Sequence, residues 1–239
     1  MAAIIADPLA GVLAVAGGAL AGLIWLWFWL KEDCHPEPRK IIILTFVIGA
    51  IGVPVAFLLE ELSFYFGRSL GFWPAGSPTF ILLMIWAVIE ENIKYFAAYL
   101  AAFRRKFFDE PIDAPIYLIA AALGFAAVEN IFMLSSIFQK EILGGLATIN
   151  LRFVGATLLH IVASGVVGLS IGYDFFHRHH RGRNALGGLT LASLLHGLFN
   201  FFILKGGSEN IIYVFSVVWL GVIIVILSME KIKKLQINN

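Results

Sequence analysis

The chain has 239 residues, of which 60% are hydrophobic and only 14% are charged, and its mean hydropathy is +0.89. These values exclude an ordinary soluble domain, in which apolar residues make up about 45–50% and charged residues about 25%. The formal net charge of +1 and the lack of a long basic run argue against a nucleic-acid partner. The composition therefore predicts a polytopic membrane protein whose partners are membrane lipid and other membrane proteins.

Seven apolar segments are long enough to cross about 30 Å of hydrocarbon as helices. Charged clusters, prolines and glycine pairs separate them. The first segment is too long for a cleaved signal core and is interpreted as a transmembrane helix. The sequence thus predicts an all-α membrane helix bundle that forms a single transmembrane domain over residues 1–239. The predicted spans are 8–30, 41–59, 78–103, 115–138, 153–176, 185–204 and 211–229.

The basic residues predict the orientation of the bundle. Alternate connections carry twelve of the seventeen lysine and arginine residues, the connections on the opposite side carry four, and Lys94 lies inside the third span. Because basic residues are enriched in cytoplasmic loops, we expect the N-terminus outside and the C-terminus in the cytoplasm.

Several polar residues lie inside the predicted spans, where ionisable groups are costly to keep and mark functional sites. They are Glu90, Glu91 and Lys94 in the third span, Glu129 in the fourth, His160 in the fifth, and His196 and Asn200 in the sixth. Their positions predict similar depths, between the centre and the outer leaflet, so four helices can bring them to one level. Glu60 and Glu61 are instead expected to cap the outer end of the second span in solvent.

A structural ion pair explains only part of this set. Glu90 precedes Lys94 by four residues and Glu91 precedes it by three, so either carboxylate can pair with the ammonium on one helix face. The other carboxylate then needs a proton or a partner of its own. Glu129 has no basic neighbour on its own helix, so it is protonated, capped from another helix or part of a site. A lone buried histidine is typically a neutral core residue, but two histidines beside three carboxylates favour a site.

Four motifs follow one another in consecutive spans: EENIK at 90–94, FAAVE at 125–129, His160, and HGLFN at 196–200. This order, covering residues 78–204, resembles the PrsW family of intramembrane proteases, which are relatives of the type II CAAX prenyl endopeptidases and the bacteriocin-immunity group. The CAAX branch reads Glu-Glu-x-x-x-Arg and Phe-x-x-x-His, whereas Tyr95 and Glu129 stand at its arginine and its second-motif histidine. These differences favour PrsW over prenyl-peptide processing.

The resemblance implies hydrolysis of a peptide bond within a prokaryotic cell membrane. PrsW-like proteins act as site-1 proteases on the extracytoplasmic part of single-span anti-sigma factors, so a substrate of that kind is expected. By likeness to the CAAX relatives, Glu90 is expected to activate a water molecule. Glu91 is then the partner of Lys94, or the two glutamates exchange these roles.

The remaining motif residues receive supporting roles from the same resemblance. Glu129, which lies on the neighbouring helix, is expected to hold or share this water molecule. His196 and Asn200 are expected to donate hydrogen bonds to the developing oxyanion. His160 is expected to orient Glu90 or to protonate the leaving amine.

Other interpretations use the same residues. Glu90, Glu129, His160 and His196 are a legitimate ligand set for catalytic zinc, but no His-Glu-x-x-His helix is present, so a metal-free site is favoured. A proton- or ion-coupled transporter also places such groups at mid-membrane depth, although an internal repeat and paired broken helices are then expected. A non-catalytic membrane binding protein would keep the bundle without turnover.

Overall fold

The computed structural model describes residues 8–73, 78–205 and 207–237, and within these residues the chain is helical and forms no strand. A helix satisfies its backbone hydrogen bonds within its own segment, so it is the element expected for long apolar segments in lipid. The helices are α1 (Pro8–Trp29), α2 (Arg39–Ser69), α3 (Phe80–Ala98), α4 (Asp113–Phe138), α5 (Ile142–Leu151), α6 (Thr157–Gly172), α7 (Arg181–Lys205) and α8 (Gly207–Ile237).

The predicted all-α membrane bundle is confirmed. Among the described residues, six helices are long and apolar enough to cross a membrane, and each overlaps one predicted span. The third span corresponds to α3, which continues through a π-helical turn at Tyr99–Phe103. It is less apolar because Glu90, Glu91 and Lys94 lie on it.

Two predicted connections are helical in the structure. Residues 60–69 extend α2 beyond the predicted span. The π-helical turn Arg152–Ala156 joins α5 to α6, so that Ile142–Gly172 forms one continuous helix of 31 residues. The predicted boundaries are wrong at these places because a hydropathy window ends at charged or glycine-rich stretches, whereas backbone hydrogen bonding continues past them. The correction places Arg152 within a helix and not in a connection.

Helix α4 lies at the centre of the bundle, where it packs against α1, α2 and α6. Every residue from 113 to 127 is buried. The approach of α2 to α4 depends on two glycines, because a Cβ atom at Gly49 would overlap the Ala121 carbonyl and one at Gly124 would overlap the Phe46 carbonyl. Small residues at such an interface let helix backbones come close together in membranes.

Helices α3, α6 and α7 pack against one another, and two of them also pack against α4. Helix α3 packs against α2, α4 and α7, while α6 packs against α4 and α7. Side chains on the facing sides of α3, α4, α6 and α7 therefore meet inside the bundle.

Candidate active site

One polar cluster occupies the space between these four helices. Its members are Glu90, Glu91 and Lys94 from α3, Glu129 from α4, His160 from α6 and His196 from α7. All of them except the half-buried Glu129 are buried. The structure thus brings together six of the seven residues predicted from the sequence. The seventh, Asn200, lies one turn after His196 and is half-buried, and its side chain makes no hydrogen bond to another described residue.

Lys94 lies at the centre of the cluster. Its Nζ atom is 2.8 Å from Glu91 Oε1, 3.3 Å from Glu90 Oε2 and 2.6 Å from His160 Nδ1. The ammonium has three N–H donors, so it can direct one to each acceptor. It also lies 4.7 Å from the centre of the Phe125 ring, within the range of a cation–π interaction. Both glutamates of the first motif therefore contact the same lysine, Glu91 at the shorter distance.

The contact with Lys94 fixes the tautomer of His160. Because an ammonium only donates hydrogen bonds, Nδ1 of His160 accepts, and the ring proton lies on Nε2. That Nε2–H donates to Glu129 Oε2 at 3.0 Å. Both ring nitrogens are thus engaged, and within the described residues His160 makes no hydrogen bond to Glu90.

His196 joins the two glutamates of α3. Its Nδ1–H donates to Glu91 Oε1 at 2.8 Å, and Ser164 Oγ donates to the other oxygen of Glu91 at 3.4 Å. The second ring nitrogen, Nε2, is 3.9 Å from Glu90 Oε2, too far for a direct hydrogen bond. A water molecule about 2.8 Å from both atoms would donate one hydrogen to each of them.

Arg152 supplies the basic partner that Glu129 lacks on its own helix. Its Nη2 atom is 2.9 Å from Glu129 Oε2, and its Nε donates to the side-chain oxygen of Asn130. Asn130 in turn donates to Thr157 Oγ1 at 3.1 Å. The sequence interpretation placed Arg152 in an outer connection and missed it as a site residue. The signal that pointed to it is the unmatched charge of Glu129, for which capping from another helix was one of three explanations.

Of the three glutamates in the cluster, Glu90 has the weakest contact with a cationic group. Glu91 and Glu129 each lie within 2.9 Å of a cationic nitrogen, from Lys94 and Arg152 respectively. Glu90 has only the 3.3 Å contact to a lysine that it shares with Glu91. Its side chain is 10% exposed, whereas those of Glu91 and Lys94 are fully buried. Glu90 can therefore accept a further hydrogen bond, and a small molecule such as water can reach it.

Glu60 of α2 also faces this cluster. Its carboxyl group interacts electrostatically with Glu90, Glu129 and Lys94, and its Oε1 atom is buried without a hydrogen-bond partner among the described residues. The expectation that Glu60 caps a helix end in solvent is therefore wrong. The reason is that α2 continues to Ser69, which places Glu60 inside the helix and beside α3.

Comparisons with known proteins identify the family. A model of the PrsW family, described as intramembrane metalloproteases, matches residues 37–228. The chain belongs to the PrsW family. Protease PrsW of Oceanobacillus iheyensis is 30% identical over 196 residues, which are 82% of this chain and 84% of that relative. Protease PrsW of Bacillus subtilis is 26% identical, with 78% of this chain and 81% of that relative covered. No solved structure matches the chain.

Membership of the family confirms the resemblance seen in the motifs. Together with the six apolar helices, it identifies a multi-pass prokaryotic membrane protein. It also supports a membrane peptidase.

The family description implies a metal, and the cluster can be tested for one. Glu90, His160 and His196 each offer one ligand atom, and these atoms lie within 4.8 Å of one another. Lys94 Nζ, however, is 2.6 Å from one nitrogen of His160, and Glu129 occupies the other. The ammonium thus takes the place that a cation bound to His160 and Glu90 would need, and it would repel a divalent ion. The residues as arranged do not fit a metal.

Proposed function

We propose that this protein hydrolyses a peptide bond of a membrane-anchored protein with a water molecule activated by Glu90. The observation that carries the proposal is the position of the Glu90 carboxylate. It is weakly compensated, partly accessible, and 3.9 Å from the free ring nitrogen of His196. A water held between these two atoms lies beside a base, which general base catalysis requires.

The proton transfers follow from these contacts. Glu90 takes a proton from the water as the water oxygen bonds to the carbonyl carbon of the scissile amide. The carbon–nitrogen bond then breaks, and the protonated Glu90 returns that proton to the leaving amine. Since the ring proton of His196 is on Nδ1, its Nε2 orients the water by accepting a hydrogen bond. The side-chain amide of Asn200 is left to donate to the oxyanion, a contribution of about 100-fold to 1,000-fold in rate.

The remaining charged residues position Glu90 and His196. Glu91 orients His196 through Nδ1, and Lys94 keeps the charge of Glu91 compensated. His160 links Lys94 to Glu129, which Arg152 holds in turn. His160 is accordingly a positioning residue in this proposal and transfers no proton.

The substrate class is a single-span membrane protein of the anti-sigma-factor type, cleaved on the extracytoplasmic side as a site-1 step. Support comes from the distribution of basic residues, which directs the ends of α4 and α7 outward. Glu129 and His196 each lie nine residues before those ends, at Phe138 and Lys205. At about 1.5 Å per residue, the cluster lies roughly 14 Å below that end.

The test compares cleavage of single-span anti-sigma-type substrates in liposomes by the wild type, Glu90→Gln and Glu61→Gln. Glu61 is an exposed glutamate of α2 and provides the matched control. Product formation is expected to fall by at least about 100-fold in Glu90→Gln and to stay unchanged in Glu61→Gln. Cleavage by the wild type is expected to continue after treatment with a strong chelator.

Two results would overturn parts of this proposal. Full activity of a folded Glu90→Gln variant would remove Glu90 as the base. Loss of activity in chelator that returns on addition of zinc would replace the glutamate mechanism by a metal-dependent one.

A further inference from the structure

A second acidic group lies where two turns meet, on the end of the bundle away from Phe138 and Lys205. One turn, residues 33–38, precedes α2, and the other, residues 104–112, precedes α4. His35 Nδ1 of the first turn is 3.0 Å from Glu110 Oε1 of the second. The carboxylates here are Asp33, Glu37, Asp109, Glu110 and Asp113. Among the described residues, none of the five forms an ion pair with a lysine or arginine.

Three of these carboxylates converge, and we call them the acidic triad: Glu37, Asp109 and Asp113. One oxygen atom from each lies within 4.8 Å of the other two. The carboxyl groups of Glu37 and Asp113 are close enough for a hydrogen bond between them. Two carboxylates at that distance repel each other unless a cation or a proton lies between them.

Asp113 is the member that most clearly requires a ligand. Its side chain is fully buried at the start of α4. Its Oδ2 atom accepts from the backbone N–H groups of Asp109 at 2.9 Å and Glu110 at 2.7 Å. Its Oδ1 atom is buried and has no hydrogen-bond partner among the described residues. A buried carboxylate oxygen without a partner is unfavourable, so this atom requires either a cation or a proton beside it.

Glu37 lies on the other side of the triad, where Tyr117 holds its carboxylate. The Tyr117 hydroxyl donates a hydrogen bond to Glu37 Oε2.

We propose that the acidic triad binds a hard divalent cation, Ca²⁺ or Mg²⁺, which joins the turn before α2 to the turn before α4. The ligand atoms are all oxygens, which these cations prefer, whereas zinc and the later transition metals favour nitrogen and sulfur. Oxygen ligands at about 2.3–2.6 Å from a Ca²⁺ ion lie at most about 5 Å apart, as the triad allows. This site is separate from the peptidase cluster and does not depend on the proposed catalytic mechanism.

The test uses the purified full-length protein in detergent after chelator treatment, with Tb³⁺ as a luminescent probe of calcium-type sites. Tyr117 contacts Glu37 and is placed to sensitise the emission. Saturable emission is expected, and Ca²⁺ and Mg²⁺ are titrated against it separately to show which competes. Asp109→Asn removes the negative charge of the exposed ligand without disturbing the core and is expected to weaken binding about tenfold or more. Glu110→Gln, an adjacent acidic residue outside the triad, is the matched control and is expected to change binding less than about twofold.

The thermal midpoint provides a second measurement. The midpoint of the wild type is expected to rise on addition of the competing cation, because a ligand that binds only the folded state stabilises it. Asp109→Asn is expected to lose this rise, and Glu110→Gln is expected to keep it. Equal weakening of cation binding in both variants would show that the cation is attracted only by the overall negative charge of the two turns, and would overturn the site. Absence of saturable emission together with an unchanged midpoint would also overturn it, and would leave a shared proton as the partner of Asp113.

Discussion

At the scale of the residue, the stability of the polar cluster depends on Lys94. Its ammonium is fully buried and uses its three donors on Glu90, Glu91 and His160. A buried charge that loses its partner is far more costly than the pair itself is favourable. The lysine therefore keeps Glu91 charged and, through the tautomer of His160, determines the contacts of Glu129.

Replacement of this lysine provides a direct test. Lys94→Met keeps the volume but leaves Glu91 as a buried uncompensated carboxylate, so stability is expected to fall by about 3–5 kcal/mol. The thermal midpoint in detergent measures the loss. The double variant Lys94→Met with Glu91→Gln removes both charges and is expected to recover much of it. A double variant no more stable than the single one would contradict the assignment of Lys94 as the counter-ion of Glu91.

The sequence predicted which residues of the cluster matter, but not how their charges are paired. Glu90 and Glu91 are adjacent, and helical spacing allows both to reach Lys94, so only the packing of α7 decides that Glu91 contacts His196. Arg152 lies 23 positions after Glu129 and enters the site because the helix starting at Ile142 is continuous. No local pattern contains that information.

At the scale of the element, close packing of α2 on α4 holds the site together. Both helices carry a glycine where the partner backbone passes, Gly49 on α2 and Gly124 on α4. The glycine-rich composition suggests such contacts, but it does not specify which glycines meet a backbone.

Two glycine substitutions distinguish the effect of close packing on stability from the effect of helix propensity. Gly124→Ala introduces a Cβ atom that overlaps the Phe46 carbonyl, and it is expected to lower stability by about 1–3 kcal/mol. Gly187→Ala, on α7, introduces a Cβ atom with nothing within 4 Å, and is expected to leave stability unchanged or slightly higher. The thermal midpoints of the two variants measure the difference. Equal midpoints would show that α2 and α4 can separate without cost.

At the scale of the whole molecule, the orientation in the membrane decides which side the substrate approaches. Four basic residues, Arg68, Lys140, Arg152 and Lys205, lie toward one end of the predicted spans, and twelve lie toward the opposite end. This asymmetry predicts an external N-terminus and a cytoplasmic C-terminus.

The single cysteine of the chain tests this orientation without a reporter fusion. Cys34 is free and exposed in the turn before α2, on the predicted cytoplasmic side. A membrane-impermeant maleimide is expected to label it only after the membrane is permeabilised. The variant Glu141→Cys with Cys34→Ser places the thiol between α4 and α5, and labelling of intact cells is expected. Labelling of Cys34 in intact cells would reverse the orientation and the proposed side of cleavage.

The sequence by itself determined the membrane bundle, the approximate positions of its helices, the family and six residues of the cluster. These follow from hydropathy, from the cost of ionisable groups in lipid and from motif order, all of which act along the chain. Only the tertiary structure decided the pairing of Glu129 with Arg152, the approach of Glu60 to the site, and the meeting of Glu37 with Asp113. These contacts join residues far apart in sequence, because Coulomb interactions and close packing depend on distance in space and leave no periodic pattern along the chain.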